Sequence, residues 1–128
     1  MRKVQSTNSL NFQELVVLCP ISYTISIMNG RWKPLIIDRL LRQNMRYGEL
    51  RQSIPIITER VLTMQLKEME QDGLISKIVH KQVPPKIVEY FLTEKGKSLK
   101  AVLMELYAWG HANRDTTPEI SSLTSVAM

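Results

Sequence analysis

The chain has 128 residues, 44% of them hydrophobic, and five glycines, which fits one domain with a real core and excludes a loop-rich scaffold. Its formal net charge of +5 suits a partner that carries phosphates or an acidic surface. One cysteine excludes an internal disulfide, the start MRKVQSTNSL lacks the apolar centre of a signal peptide, and no run reaches the ~18 apolar residues of a membrane span, so the cytoplasm is expected.

In chain order, residues 1–10 read as a flexible N-terminus, and the domain is expected over 11–114. NFQELVVL (11–18) predicts a short helix with Phe12, Leu15, Val16 and Leu18 inward. Cys19-Pro20 then marks a new start, because proline is favoured at the first helical position, where its missing N–H costs nothing. Cys19 is thus the expected N-cap of a helix over about 20–28, with Ile21, Ile25 and Met28 at helical spacing and Asn29-Gly30 as its stop. Lys33-Pro34 opens the next helix, with Ile36, Ile37, Leu40 and Leu41 as its apolar positions. A short helix follows over about 47–53, with Tyr47, Leu50 and Ile54 on one side, and Pro55 ends it. Thr58 is a good N-cap for a helix to about Gln71, whose buried stripe is Leu62, Leu66 and Met69 and which Gly73 closes.

The period then changes. LISKIVHK (74–81) and IVEYFLT (87–93) are rich in β-branched residues, and QVPPK between them is a turn, which predicts a β-hairpin with its prolines at the tip. Thr93 caps a long helix through about Gly110, with Leu99, Val102, Leu103, Leu106 and Trp109 as a wide stripe. The segment 115–128 has no period and is expected to be disordered.

The resulting fold class is mainly α with a small β-hairpin wing. A short helix, a turn and a longer helix form a helix-turn-helix, and the hairpin after it is the wing. Such a helix fits the major groove, and a hairpin beside it can lie along phosphates. On the helix over 58–71, Arg60, Met64, Lys67 and Gln71 oppose the apolar stripe, with Thr63 beside them. Arg60 could fork to guanine, Thr63 could meet a thymine methyl or a phosphate, Met64 could meet a thymine methyl, and Lys67 suits a phosphate. Thr58 and Glu59 stand at the helix start, where Glu59 suits the dipole or a cytosine amino group. A plain solvated face would look similar.

Charge complicates this picture. Residues 58–72 carry Arg60 and Lys67 against Glu59, Glu68, Glu70 and Asp72, two minus four, or −2. Residues 31–51 carry Arg31, Lys33, Arg39, Arg42, Arg46 and Arg51 against Asp38 and Glu49, six minus two, or +4. The hairpin adds Lys77, Lys81 and Lys86, with His80 nearby. Flanking cations would position the helix on phosphates while the helix reads bases. The same cations argue against a winged helix used for protein contact alone.

CPISYTISIMNGRWKPLIIDRLL, RYGELRQSI, ITERVLTMQLKEMEQDGLISK and VPPKIVEYFLTEKGKSL, with the later AWG, resemble the HxlR-type winged-helix regulators of bacteria, over about residues 19–110. The wing match is loose by one residue at Ile87. The resemblance implies a homodimeric transcription regulator on inverted-repeat double-stranded operator DNA; repression is the default expectation, as the commoner outcome when a small dimer without other domains covers a promoter. It implies that the first and last helices pair the subunits, which would place Ile21, Ile25, Leu103, Leu106, Tyr107 and Trp109 at the interface. One departure stands out: Ile56 occupies a turn position where the family usually has Gly or Asn, so a differently shaped turn, or isoleucines of 54–57 packed inward, is expected.

The resemblance also implies a sensor of oxidants or electrophiles at Cys19. The position supplies a physical reason, since free N–H groups and the dipole at a helix start stabilise a thiolate. With no second cysteine, oxidation would bridge subunits or take up a small thiol. The alternatives are a structural Cys19 and a signal carried by a small molecule between the dimer helices. An enzyme is not expected, nor is a cofactor or metal: His80 and His111 stand alone, and no nucleophile motif or glycine-rich phosphate loop is present.

Overall fold

The computed structural model describes residues 13–14, 16–81 and 83–115. The segment 1–10, expected to be flexible, lies outside these, as do Asn11, Phe12 and Leu15 of the first expected helix and 116–128 of the tail 115–128 expected to be disordered. Two compact units form, one ending at Arg31 and one beginning at Trp32.

In the first unit, Gln13, Glu14 and Val16–Leu18 are helical. Leu18 is exposed rather than inward, because it stands at the last turn before the chain extends through Cys19. Helix α1 (Pro20–Ile27) starts as expected, with extended Cys19 as N-cap and Pro20 in the first turn. The Thr24 hydroxyl donates to the Pro20 carbonyl at 2.9 Å and the Ser26 hydroxyl to that of Tyr23 at 2.6 Å, so both bond back to the helix itself. Gly30 follows at φ +106, a conformation glycine adopts at no steric cost.

The second unit opens with α2 (Lys33–Arg42), which buries Ile36, Ile37 and Leu40. A two-residue strand β1 (Met45–Arg46) leads into α3 (Tyr47–Ser53), where the Glu49 carboxylate accepts from the Arg46 N–H at 2.8 Å. Helix α4 (Glu59–Gln71) has the expected cap: Thr58 Oγ1 accepts from the Val61 N–H. Leu62, Leu66 and Met69 are fully buried, as their spacing predicts, against a core that includes Leu50, Ile54 and Leu74.

The turn between α3 and α4 answers the question Ile56 raised. No residue other than glycine takes a positive φ among those described, so Ile56 needs no left-handed geometry. Ile54 and Ile57 point inward and Ile56 is 62% exposed. After α4, Gly73 at φ +77 lets its own N–H bond the Glu70 carbonyl and that of Leu74 bond the Met69 carbonyl, both at 3.0 Å. This pair of hydrogen bonds is the usual glycine stop of a helix, and it delivers Leu74 to the core.

Strands β2 (Ile75–Lys81) and β3 (Ile87–Leu92) form the expected antiparallel hairpin, with a bulge between Val79 and Lys81. The sheet has a third member that the pattern did not show. β1 pairs with β3 through Met45–Tyr90 and Arg46–Glu89, giving the order β1-β3-β2. Two residues carry no readable period.

The last helix is not continuous. Thr93 caps α5 (Glu94–Lys97) by accepting from the Gly96 N–H at 3.1 Å, and a separate α6 (Lys100–Asn113) begins after Ser98-Leu99. At the break the Leu99 N–H bonds three residues back to Gly96, a tightened turn. Gly96 is there for closeness: a Cβ on it would collide with the Leu74 carbonyl oxygen. Leu99 and Leu103 then turn into the core.

Candidate nucleic-acid interface

The exposed face of α4 is built from what remains after Leu62, Leu66 and Met69 turn inward. Arg60, Thr63, Met64, Lys67 and Gln71 are all exposed, along with Thr58 and Glu59 at the helix start. The spacing brings them onto one side, as the helical wheel predicts.

The acids of α4 are matched by cations from three neighbouring elements. Lys33 of α2 meets Glu68 at 2.8 Å, Arg51 of α3 meets Glu59 at 3.4 Å, and Lys77 of β2 meets Glu70 at 3.6 Å. The net −2 of this stretch is therefore locally compensated, and the pairs tie the helix to its surroundings. α3 adds a further link. The Tyr47 hydroxyl lies 3.1 Å from the Glu59 carbonyl oxygen and 3.0 Å from Thr63 Oγ1.

The same facts correct the expected role of the basic stretch 31–51. Lys33 and Arg39 are buried and cannot lie along a phosphate backbone. Arg39 donates from Nη1 to Asp38 at 2.8 Å and from Nε and Nη2 to the Ser53 carbonyl, both at 3.3 Å. It thereby fastens the end of α3 to α2, and Arg42 also reaches Asp38 at 3.4 Å. Lys33 and Arg39 thus serve packing and internal pairing instead of facing a partner. Arg46 differs, since its side chain is exposed.

The wing contributes exposed Lys86 and His80. His80 Nε2 sits 2.8 Å from Glu89 Oε1 across the hairpin, so it is partnered. The backbone of Lys81 belongs to β2, and its side chain lies outside the described residues. An open cleft of about 470 Å³ runs between the start of α3 and β3, lined by residues that include Arg46, Gly48, Lys86 and Tyr90. The Tyr90 phenol is pushed up from its ordinary pKa by burial, then by the charge of Glu70 and by Tyr47, so it stays protonated.

Of the residues expected at a subunit interface, Leu103 is buried within its own unit, whereas Leu106, Tyr107 and Trp109 are exposed, Trp109 by 70%. Tyr107 stacks on His111 with ring centroids 5.8 Å apart. In the first unit Ile21 and Ile25 are exposed as well, Ile21 by 71%.

Cys19 is a free, partly exposed thiol. Its pKa is lowered, first by the backbone N–H of Ser22, then by the Ser22 hydroxyl and the N–H of Ile21, against a small opposing effect of burial. No side-chain cap hydrogen bond forms at Cys19, and the N–H and hydroxyl of Ser22 and the N–H of Ile21 favour the thiolate as hydrogen-bond donors at the helix start.

Tyr47, Arg51 and the Asp38–Arg39 pair were not readable as site residues. The contacts that give them their places are long-range, Tyr47 lying 16 residues from Thr63, Arg39 14 from Ser53 and Arg51 8 from Glu59.

A helix-turn-helix with a hairpin wing and an exposed helix face defines the winged helix-turn-helix class. Residues 27–118 match the model of the HxlR-like helix-turn-helix family. The chain is 41% identical over 97 residues to the HTH-type transcriptional regulator YybR of Bacillus subtilis (strain 168), covering 76% of this chain and 77% of that one. It resembles the redox regulator HypR in its reduced form with a TM-score of 0.70 and 38% identity, over 75% of this chain and 94% of that one. It also resembles quinone-bound YodB from B. subtilis with a TM-score of 0.63 and 34% identity, over 73% of this chain and 97% of that one. The chain belongs to the HxlR-like helix-turn-helix family and is a transcriptional regulator of winged-helix type. Among the described residues, no helix is long and apolar enough to cross a membrane, and no group of three or more His, Cys, Asp or Glu could hold a metal.

Proposed function

We propose that the chain binds an inverted-repeat operator as a homodimer, represses transcription there, and releases DNA when Cys19 reacts with an oxidant or electrophile. The observation that carries this reading is α4: its acids are paired with neighbouring elements, and Arg60, Thr63, Met64 and Lys67 are left facing outward. In this reading Arg60 forks to guanine, Lys67 contacts phosphate, Met64 and Thr63 meet base edges, and Thr58 and Glu59 stand at the groove entry. Arg46, Lys86, Lys81 and His80 flank the helix and fix its register on phosphates.

Ile21 and Ile25 in the first unit, and Leu106, Tyr107 and Trp109 in the second, are apolar surface that a second copy would cover, with Leu103 beneath. Two recognition helices must sit one DNA turn apart, about 34–36 Å. In this reading a covalent change at Cys19, at the start of α1, alters that separation. Support comes from the lowered pKa of the thiol and from the neighbours: HypR is a redox regulator, and YodB has been solved after diamide treatment and with quinone bound.

The test is a gel shift on the DNA upstream of the chain's own gene, with and without diamide, for wild type and Cys19→Ser. The expected result is binding by both, and release by diamide in the wild type alone. Binding that diamide leaves untouched would return Cys19 to a structural role and place the signal in a ligand between the dimer helices.

A further inference from the structure

This inference rests on the DNA-binding reading of α4 and concerns which base chemistry the helix accepts. The Tyr47 hydroxyl contacts both the Glu59 carbonyl oxygen and Thr63 Oγ1. A phenol owns one hydrogen, and a carbonyl can only accept. Tyr47 therefore donates to Glu59. The second bond can then form only if Thr63 O–H donates and the Tyr47 oxygen accepts. With both bonds made, the one hydrogen of the Thr63 hydroxyl is spent inside the protein, and only lone pairs remain for an outside partner.

We propose that Tyr47 is a positioning residue that determines specificity, by making Thr63 an acceptor-only reader on α4. An acceptor selects a base edge that carries an amino donor, adenine N6 or cytosine N4, and turns away guanine O6 and thymine O4. It also cannot serve a phosphate oxygen, which is itself an acceptor, so the phosphate role open to Thr63 from its residue type is closed. Glu59 one turn earlier presents a carboxylate, also acceptor-only, with Arg51 on one of its oxygens. α3 thus supplies, in Tyr47, the side chain that sets the hydrogen-bonding sense of Thr63 on α4.

The test is selection of bound sequences from a pool of random duplexes by the full chain, comparing wild type with Tyr47→Phe, Thr63→Val and Thr63→Ser. Tyr47→Phe removes one oxygen and keeps the ring. The wild type is expected to favour adenine or cytosine by about tenfold at one position that depends on Thr63. The base found there tells which of the two amino groups is read. Thr63→Val should lose that preference and no other. Tyr47→Phe should lose the same preference, because the freed hydroxyl can turn to donate, while the salt dependence of its binding stays that of the wild type. Thr63→Ser should keep it.

A Tyr47→Phe chain with every preference intact would overturn the proposal. So would a Thr63-dependent position that favours guanine or thymine, an outcome that decides the matter even if Tyr47→Phe fails to fold. A wild-type chain that enriches no sequence would defeat the DNA-binding reading itself, a result distinct from a selective wild type that ignores Tyr47.

Discussion

Cys19 combines partial exposure with a thiol pKa below the ordinary value. A lowered pKa populates the thiolate at lower pH, and the thiolate is the reactive form. Alkylation of the folded chain by iodoacetamide should therefore rise with pH around a midpoint below that of the same chain unfolded in urea, where the oriented N–H groups of Ser22 and Ile21 are lost. Equal midpoints would mean that those groups do not act on the sulfur. A second residue-scale expectation concerns Arg60. Its side chain is exposed on the outward face of α4, so Arg60→Ala should leave the fold intact and weaken discrimination at one base pair by about 1–3 kcal/mol. Sequence selection identical to wild type would remove Arg60 from the reading face.

At the scale of elements, what was legible and what was not divide by range. Leu62, Leu66 and Met69 repeat at helical spacing, and the caps Thr58 and Thr93 stand beside the N–H groups they serve, so both were readable locally. The strand β1 was not, because two residues have no period and its pairing to Tyr90 and Glu89 is long-range. The break between α5 and α6 was also hidden, since no proline or glycine lies between Lys97 and Lys100. Gly96 was visible as a residue but not as a contact. Charge misled most: a run that sums to +4 looked like a phosphate-facing surface, yet Lys33 and Arg39 are inside.

Arg39→Ala takes from the buried Asp38 carboxylate its 2.8 Å partner, leaving the longer contact to Arg42, and removes two donors from the Ser53 carbonyl. It should cost about 3 kcal/mol by urea unfolding; a loss below about 1 kcal/mol, the usual worth of an exposed pair, would show that the cluster is not structural. Gly96→Ala places a methyl against the Leu74 carbonyl and 2.9 Å from Leu92 Cδ2. It should destabilise by about 1–3 kcal/mol. Unchanged thermal unfolding would mean that α5 moves freely away from the end of α4.

For the whole molecule, the question is how a small basic domain gains selectivity. Its cations serve two purposes. Lys33, Arg51 and Lys77 pair with acids of α4, Arg39 ties the end of α3 to α2, and Arg46, Arg60, Lys67 and Lys86 are left on the surface. A second copy would double the reading face and cover the exposed Leu106, Tyr107 and Trp109. Trp109→Ala should therefore weaken self-association by tenfold or more, as about 2 kcal/mol at an aromatic hot spot does. An unaltered sedimentation profile would assign Trp109 another partner.

The most direct test of a DNA-reading role is the affinity of the chain for a fluorescent duplex from upstream of its own gene, and for an unrelated duplex, as salt is raised. Affinity for both should fall linearly on a log–log plot, by about 0.9 per phosphate contact, with the upstream duplex bound more tightly throughout. Equal affinities, or binding indifferent to salt, would contradict a regulator that positions α4 through phosphates and reads bases with it.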